Sequence, residues 1–200
     1  MLSCALALIL LIDVSGSISE DNYELQRKGI AQAFQDKSVQ DTIKAQPGGI
    51  ALSLIEWSSD VKISIPWKIL KTKFDIDDFA TNILNAPRAT SNLTALGYAL
   101  NKAIDYMNQT PCEPDIKIID ISGDGPSNEK EEPDEPRNKA IAQGIIINGL
   151  PIITIVYPEI VDYYRDRVIT PNGFLVEATD FEDFAKAIRR KIILEIAKNN

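Results

Sequence analysis

Asp13, Ser15 and Ser17 stand at every second position directly after an apolar run, in Asp13-Val14-Ser15-Gly16-Ser17. Far along the chain lie Thr94, at the start of an apolar-faced helical stretch, and Asp124, in the turn Ser122-Gly123-Asp124-Gly125. Two carboxylates and three hydroxyls make a hard, all-oxygen donor set suited to a divalent cation, Mg2+ first and Mn2+ or Ca2+ as alternatives. Hydroxyl ligands are neutral, so two carboxylates cancel the charge of such an ion without exceeding it. The set leaves room for an external carboxylate, and so suits the capture of an acidic side chain presented by a protein partner.

Each piece also has an ordinary reading. Ser17 with Glu20 fits a capping box, Thr94 could be a plain N-cap, and Asp124-Gly125 is a common turn dipeptide. The readings part over convergence: in an open parallel sheet a ligand sits outside the carboxyl ends of the strands, where connections leave to opposite faces. If the first strand and the IKIIDIS strand are neighbours, Asp13 and Asp124 meet there. Asp120, in the same strand as Ser122, either orients Ser15, Ser17 or a bound water from behind, or pairs with backbone or a lysine.

Composition narrows the chemistry. The chain has 200 residues, of which 44% are hydrophobic and 25% charged, enough for a substantial core in one domain spanning 1–200. Histidine is absent, which removes Ser-His-Asp and Cys-His nucleophilic machinery, HExxH zinc hydrolysis and His-ligated haem. A net charge of −8 argues against nucleic acid and anionic lipid as partners. Cys4 and Cys112 are too few for a zinc site, and are either one disulfide or two buried thiols. The opening MLSCALALILLID lacks a basic flank and a cleavage site and is too short to span a bilayer as a helix, so it reads as a buried strand.

The positioning elements follow from apolar runs that alternate with amphipathic stretches, the pattern of an α/β fold with a largely parallel sheet. The first strand covers about 5–12 and is apolar on both faces; a helix from Ser19 carries Tyr23, Ile30 and Phe34 and ends near Asp36. GIALSLIEW and VKISIPW, joined by Ser58, Ser59 and Asp60, form a hairpin. Helices are expected over 75–84 and from Leu96 to Met107, and a strand over 116–122. The acidic stretch Glu129 to Pro136 is expected on the metal face, as a solvated loop or as a selectivity element repelling poorly docked acidic partners. A helix over 138–143, a strand in IIINGLPIITIVY, a short helix in PEIVDYYRDRVI, a last strand near 174–176 and a C-terminal helix with Phe181, Phe184, Ile188, Ile192 and Ile196 complete the series.

In this order, DxSxS, Thr and Asp on an α/β pattern, the sequence resembles the von Willebrand factor A-type domain of integrin inserted domains over almost the whole chain. The stretches NYELQR, EWSS, SGDGPSN, INGLPI and DFEDFAKAIRRK look like a poorly characterised bacterial subgroup of such domains. The resemblance implies a metal-ion-dependent adhesion site at Asp13, Ser15, Ser17, Thr94 and Asp124. It also implies a doubly wound, Rossmann-like six-stranded sheet in the order 3-2-1-4-5-6 with the third strand antiparallel. That order sets Cys4 and Cys112 near one edge, where a disulfide stands against two free thiols. Subgroup members are often exported, which implies a periplasmic or secreted protein, although this chain shows no leader.

The function so implied is a non-enzymatic, metal-dependent protein-binding module. The alternative is a Mg2+-dependent phosphotransferase or hydrolase of haloacid-dehalogenase type, which also puts Asp after its first strand. Those enzymes use DxD, and Ser15 cannot replace the second Asp as general acid. A scaffold with a purely structural metal is a third reading.

Overall fold

The computed structural model describes residues 2–197. Five strands form the sheet in the order β3-β2-β1-β4-β5. β1 (Leu2–Asp13) is its centre, paired in parallel with β2 (Ile50–Trp57) and β4 (Cys112–Gly123). β3 (Val61–Leu70) is the antiparallel edge partner of β2, and β5 (Ile145–Pro151) runs parallel to β4. The opening apolar run is thus the central strand, longer by a few residues than the pattern indicates.

Successive side chains of a strand point to opposite faces, and β1 is apolar on both because both are covered. Leu6, Leu8, Leu10 and Ile12 pack in one core layer with Phe34 of α1 (Glu20–Gln35), Phe79 of α3 (Lys73–Asn85) and Ile188 of α7 (Phe184–Ala197). Ala7, Ile9 and Leu11 pack in the other with Leu100 and Ile104 of α4 (Leu96–Met107) and Ala140 of α5 (Asp134–Ala142). The layout is doubly wound, as expected of an α/β sheet that is mostly parallel.

Three details depart from the sequence reading. A second helix, α2 (Lys37–Lys44), follows α1 at once: the Asp36 carboxylate accepts from Ser38 N, so the residue that ends one helix caps the next. The PEIVDYYRDRVI helix is one turn, α6 (Ile160–Tyr163), running into a π-helical turn over Tyr164–Val168. The sixth strand is reduced to two isolated bridges, Gly149 to Leu175 and Ile152 to Ala178. Gly149 N donates to Phe174 O and Val176 N to Gly149 O, but the next donor in the ladder would be Pro151, which has no N–H. Ala178 N still donates to Pro151 O and Ile153 N to Ala178 O, so the segment follows β5 with the ladder broken at the proline.

Cys4 and Cys112 are joined in a disulfide between β1 and β4, with 5.9 Å between their Cα atoms, and lie buried on the α4 side of the sheet. Among the described residues no helix is long and apolar enough to cross a membrane.

Candidate metal centre

Asp13 is the last residue of β1, and its carboxylate turns the chain out of the sheet. Its Oδ1 accepts from Ser15 N at 2.7 Å, a local carboxylate-to-backbone bond that favours a turn over continued extension. Ile18 N donates to Ser15 O, closing the turn, and Ser15 Oγ lies 3.2 Å from Ser17 Oγ. Ser17 Oγ donates to Asp124 Oδ1 at 2.7 Å. The helix that follows is capped by Ser19, whose hydroxyl accepts from Asn22 N, so Ser17 is not the cap.

Thr94 is not a side-chain cap either: α4 has Ala95 at its N-cap position, with no side-chain hydrogen bond there. Its backbone is clasped on both sides by Asn128, which donates N–H to Thr94 O and accepts from Thr94 N through Oδ1, each at 2.9 Å. Gly16 N donates to Asn92 O at 2.6 Å, bringing the loop that carries Thr94 against the Ser15–Ser17 turn. Four of the five proposed ligands, Asp13, Ser15, Ser17 and Asp124, are therefore connected by hydrogen bonds, and Thr94 is held beside them through its loop.

Two residues that support this loop escaped the sequence reading. Glu56, buried near the end of β2, accepts from Tyr23 Oη at 2.6 Å, Ser64 Oγ at 2.8 Å and Ala89 N at 2.9 Å. Arg88 donates to the backbone oxygens of Ile18 and Val14 and to Glu20, gripping the turn from outside, and stacks on the Tyr23 ring. A lone Glu in the apolar run GIALSLIEW is the one signal that could have marked Glu56.

Asp120 faces away from the centre. It aligns with Leu10 in β1, on the face packed by α7, and its Oδ1 lies 2.5 Å from Lys191 Nζ. Of its two sequence readings the structure shows the lysine pair, not the supporting role behind the serines. Lys191 also meets Glu195 at 2.6 Å, and Asn148 Nδ2 donates to that glutamate. The acidic stretch is likewise more tied than a solvated loop: Glu131 accepts from Asn101, Glu132 and Asp134 pair with Arg167, and α5 begins inside it at Asp134. Asp134 and Glu135 there complement the N-terminal end of the helix dipole.

The electrostatics of the centre are those of an anionic pocket in an apolar wall. Asp13 and Asp124 are 0% and 3% exposed. Asp13 Oδ2 is buried with no hydrogen-bond partner among the described residues, as is Tyr164 Oη. A Cβ at position 123 would come within 2.8 Å of the first and 2.7 Å of the second, so Gly123 is the residue that lets both approach the strand end. Burial, with the charge of Asp124 added, pushes the Asp13 carboxyl up to about 7. Burial also raises that of Asp124. Among the described residues no three Asp, Glu, Cys or His side chains gather into a metal site, so any ion here relies on hydroxyls beside two carboxylates.

A profile of the DUF1194 family, described as proteins of unknown function, matches residues 3–200. The chain belongs to the DUF1194 family. This DUF1194 chain is 30% identical to matrilin-1 of Gallus gallus over 120 residues, 60% of the chain and 23% of matrilin-1. It is 33% identical to matrilin-1 of Homo sapiens over 101 residues, 50% of the chain and 19% of that protein. It thus spans less than a quarter of the length of these curated relatives. Among solved structures, proximal thread matrix protein 1 from the mussel byssus, with a zinc-occupied MIDAS motif, aligns at TM-score 0.71 and 18% identity, covering 96% of this chain and 48% of that one. The von Willebrand factor type A structure from Catenulispora acidiphila aligns at 0.70 and 16%, covering 96% and 43%. The pilus adhesin SpaC from Lactobacillus rhamnosus GG aligns at 0.72 and 15%, covering 98% and 30%. The fold of this DUF1194 chain is that of von Willebrand factor A-type domains.

Proposed function

We propose that residues 1–200 are one divalent-cation-dependent, non-enzymatic protein-binding module. Asp13, Ser15, Ser17, Thr94 and Asp124 hold the ion, Mg2+ first, and an Asp or Glu of a partner protein completes its coordination. The observation that carries the reading is the buried Asp13 Oδ2, a carboxyl oxygen without a hydrogen-bond partner among the described residues, beside a second buried carboxyl. A buried charge left unpaired is costly, and a cation between Asp13 and Asp124 relieves both desolvation and mutual repulsion. The donor chemistry fits: hard oxygens, two of them anionic, suit Mg2+, Mn2+ or Ca2+. Support also comes from the zinc-occupied MIDAS motif of the mussel protein.

The chain's own residues divide the work. Asp13 fixes the turn and supplies a free oxygen; Ser17 holds Asp124 in place; Asn128, Glu56 and Arg88 keep the Thr94 loop and the serine turn in register. When bound, the ion supplies a positive centre that an external carboxylate can ligate. Ser15, where phosphotransferases of the DxD type carry a general acid, offers there only a hydroxyl too weakly acidic for that role at neutral pH. The buried disulfide favours an oxidising compartment, periplasmic or extracellular.

The test is capture of a purified partner on immobilised protein in Mg2+ and in EDTA. Binding that EDTA releases and that Asp13→Ala loses supports the module, and binding indifferent to both contradicts it.

A further inference from the structure

Beside the centre runs an open groove of about 640 Å³, with Ser17 and Asp124 at its edge. Its size falls within the roughly 300–1,000 Å³ of ligand-holding clefts. Ile153, Ile155, Val156, Tyr157 and Phe181 give it apolar walls, and among the described residues no Lys or Arg lines it. Ile155 is 101% and Val156 73% exposed. They are held out by a fixed loop: Ile152 N donates to Gly123 O, Ile153 N to Ala178 O, and Tyr157 N to the Thr154 hydroxyl. The loop also leans on the centre itself, since a Cβ at Gly125, next to Asp124, would stand 3.2 Å from the Tyr157 ring.

We infer that this groove takes a bulky apolar side chain of the partner, within about three residues of the acid that reaches the cation. The partner element is thus an acidic residue beside a Leu, Ile, Met or Phe, and the inference rests on the metal-dependent reading above. Continuity decides it. Two of the proposed ligands, Ser17 and Asp124, line the same groove as its apolar residues, so a partner acid on the ion brings its neighbouring residues against those walls. Alternate residues of an extended segment lie about 7 Å apart, close enough for one side chain to reach the ion and a near neighbour the groove. A second acid would face Asp124 and Asp180 without a basic wall residue, so the neighbouring side chain is uncharged. Contiguous exposed aliphatics rimmed by polar groups are a mark of interaction surfaces.

The experiment is selection of a displayed random dodecapeptide library on the protein in Mg2+, on the same protein in EDTA, and on Ile155→Ser with Val156→Ser. The expected result on the unmodified protein is enrichment of Asp or Glu together with a bulky apolar residue within three positions. On the double variant the acid is kept and the apolar preference falls about ten-fold. Acid enrichment with no apolar neighbour, or an apolar preference unchanged by the double substitution, overturns the groove and leaves the metal reading standing. Apolar enrichment that survives EDTA with no acid selected overturns the metal reading, and with it the coupling proposed here. A library with no enrichment on any surface overturns both.

Discussion

Ser17 Oγ donates to Asp124 Oδ1 at 2.7 Å, a bond between residues 107 positions apart in sequence that joins the turn after β1 to the turn after β4. The serine is exposed and the aspartate buried, so the bond orients a carboxylate more than it supports the fold. Ser17→Ala removes a proposed ligand together with the donor that orients Asp124, and is expected to weaken Mg2+ affinity by at least the ten- to hundred-fold, roughly, that losing an orienting partner costs. Calorimetric titration checks this, with an unchanged far-ultraviolet circular dichroism spectrum as the control for folding.

Lys191 sits between Asp120 and Glu195 with all three side chains shut off from water. Removing one member of a buried ion pair leaves charge without its counterpart, at a cost of about 3–5 kcal/mol. Lys191→Met is therefore expected to lower the urea midpoint sharply, although methionine fills similar volume. Retention of the wild-type midpoint would show that the cluster is not an ionic anchor of α7.

Burial, with the negative charge of Asp120 added, pushes the Glu195 carboxyl up to about 8, against the pull of Lys191 and Asn148 toward ionisation. A carboxyl whose folded pKa is raised binds its proton more tightly in the folded state, so its stabilisation is complete below about 4.5 and is lost as pH rises through about 8. In metal-free buffer the urea midpoint of wild type is expected to fall more between pH 5 and pH 8.5 than that of Glu195→Gln. Asp13, raised in the same direction, slopes both proteins alike and cancels in the comparison. Parallel pH profiles would contradict the assignment.

The strands that position the centre were legible because β1 and the second half of β4 are buried on both faces, and such runs carry few polar residues. DxSxS was legible because it breaks the first of them abruptly. Asp120 stayed between its two readings for a geometric reason: alternation correctly put it on the face of Ser122, but Asp124 lies beyond the strand end, where alternation no longer fixes direction. The supports Glu56 and Arg88 act through contacts with the loop at 86–94 and the turn at 14–18, which no local pattern announces. The sixth strand was read from its apolar residues, whereas its pairing was decided by a missing N–H in its neighbour, at Pro151.

The disulfide closes a span of 108 residues between the two central strands. By chain entropy alone a loop of that length contributes about 4–5 kcal/mol. Reduction, or Cys4→Ala with Cys112→Ala, is expected to lower the thermal midpoint while leaving the sheet and its cation site intact. Equal midpoints for oxidised and reduced protein would contradict a stabilising role.

The most direct test of the central claim is calorimetric titration of Mg2+ into the wild type and into Asp13→Ala, which removes both the oxygen that anchors the turn and the one left without a partner. Saturable one-to-one binding by the wild type and none by a folded variant is the expected result. Mg2+ binding that is unchanged in Asp13→Ala would contradict it.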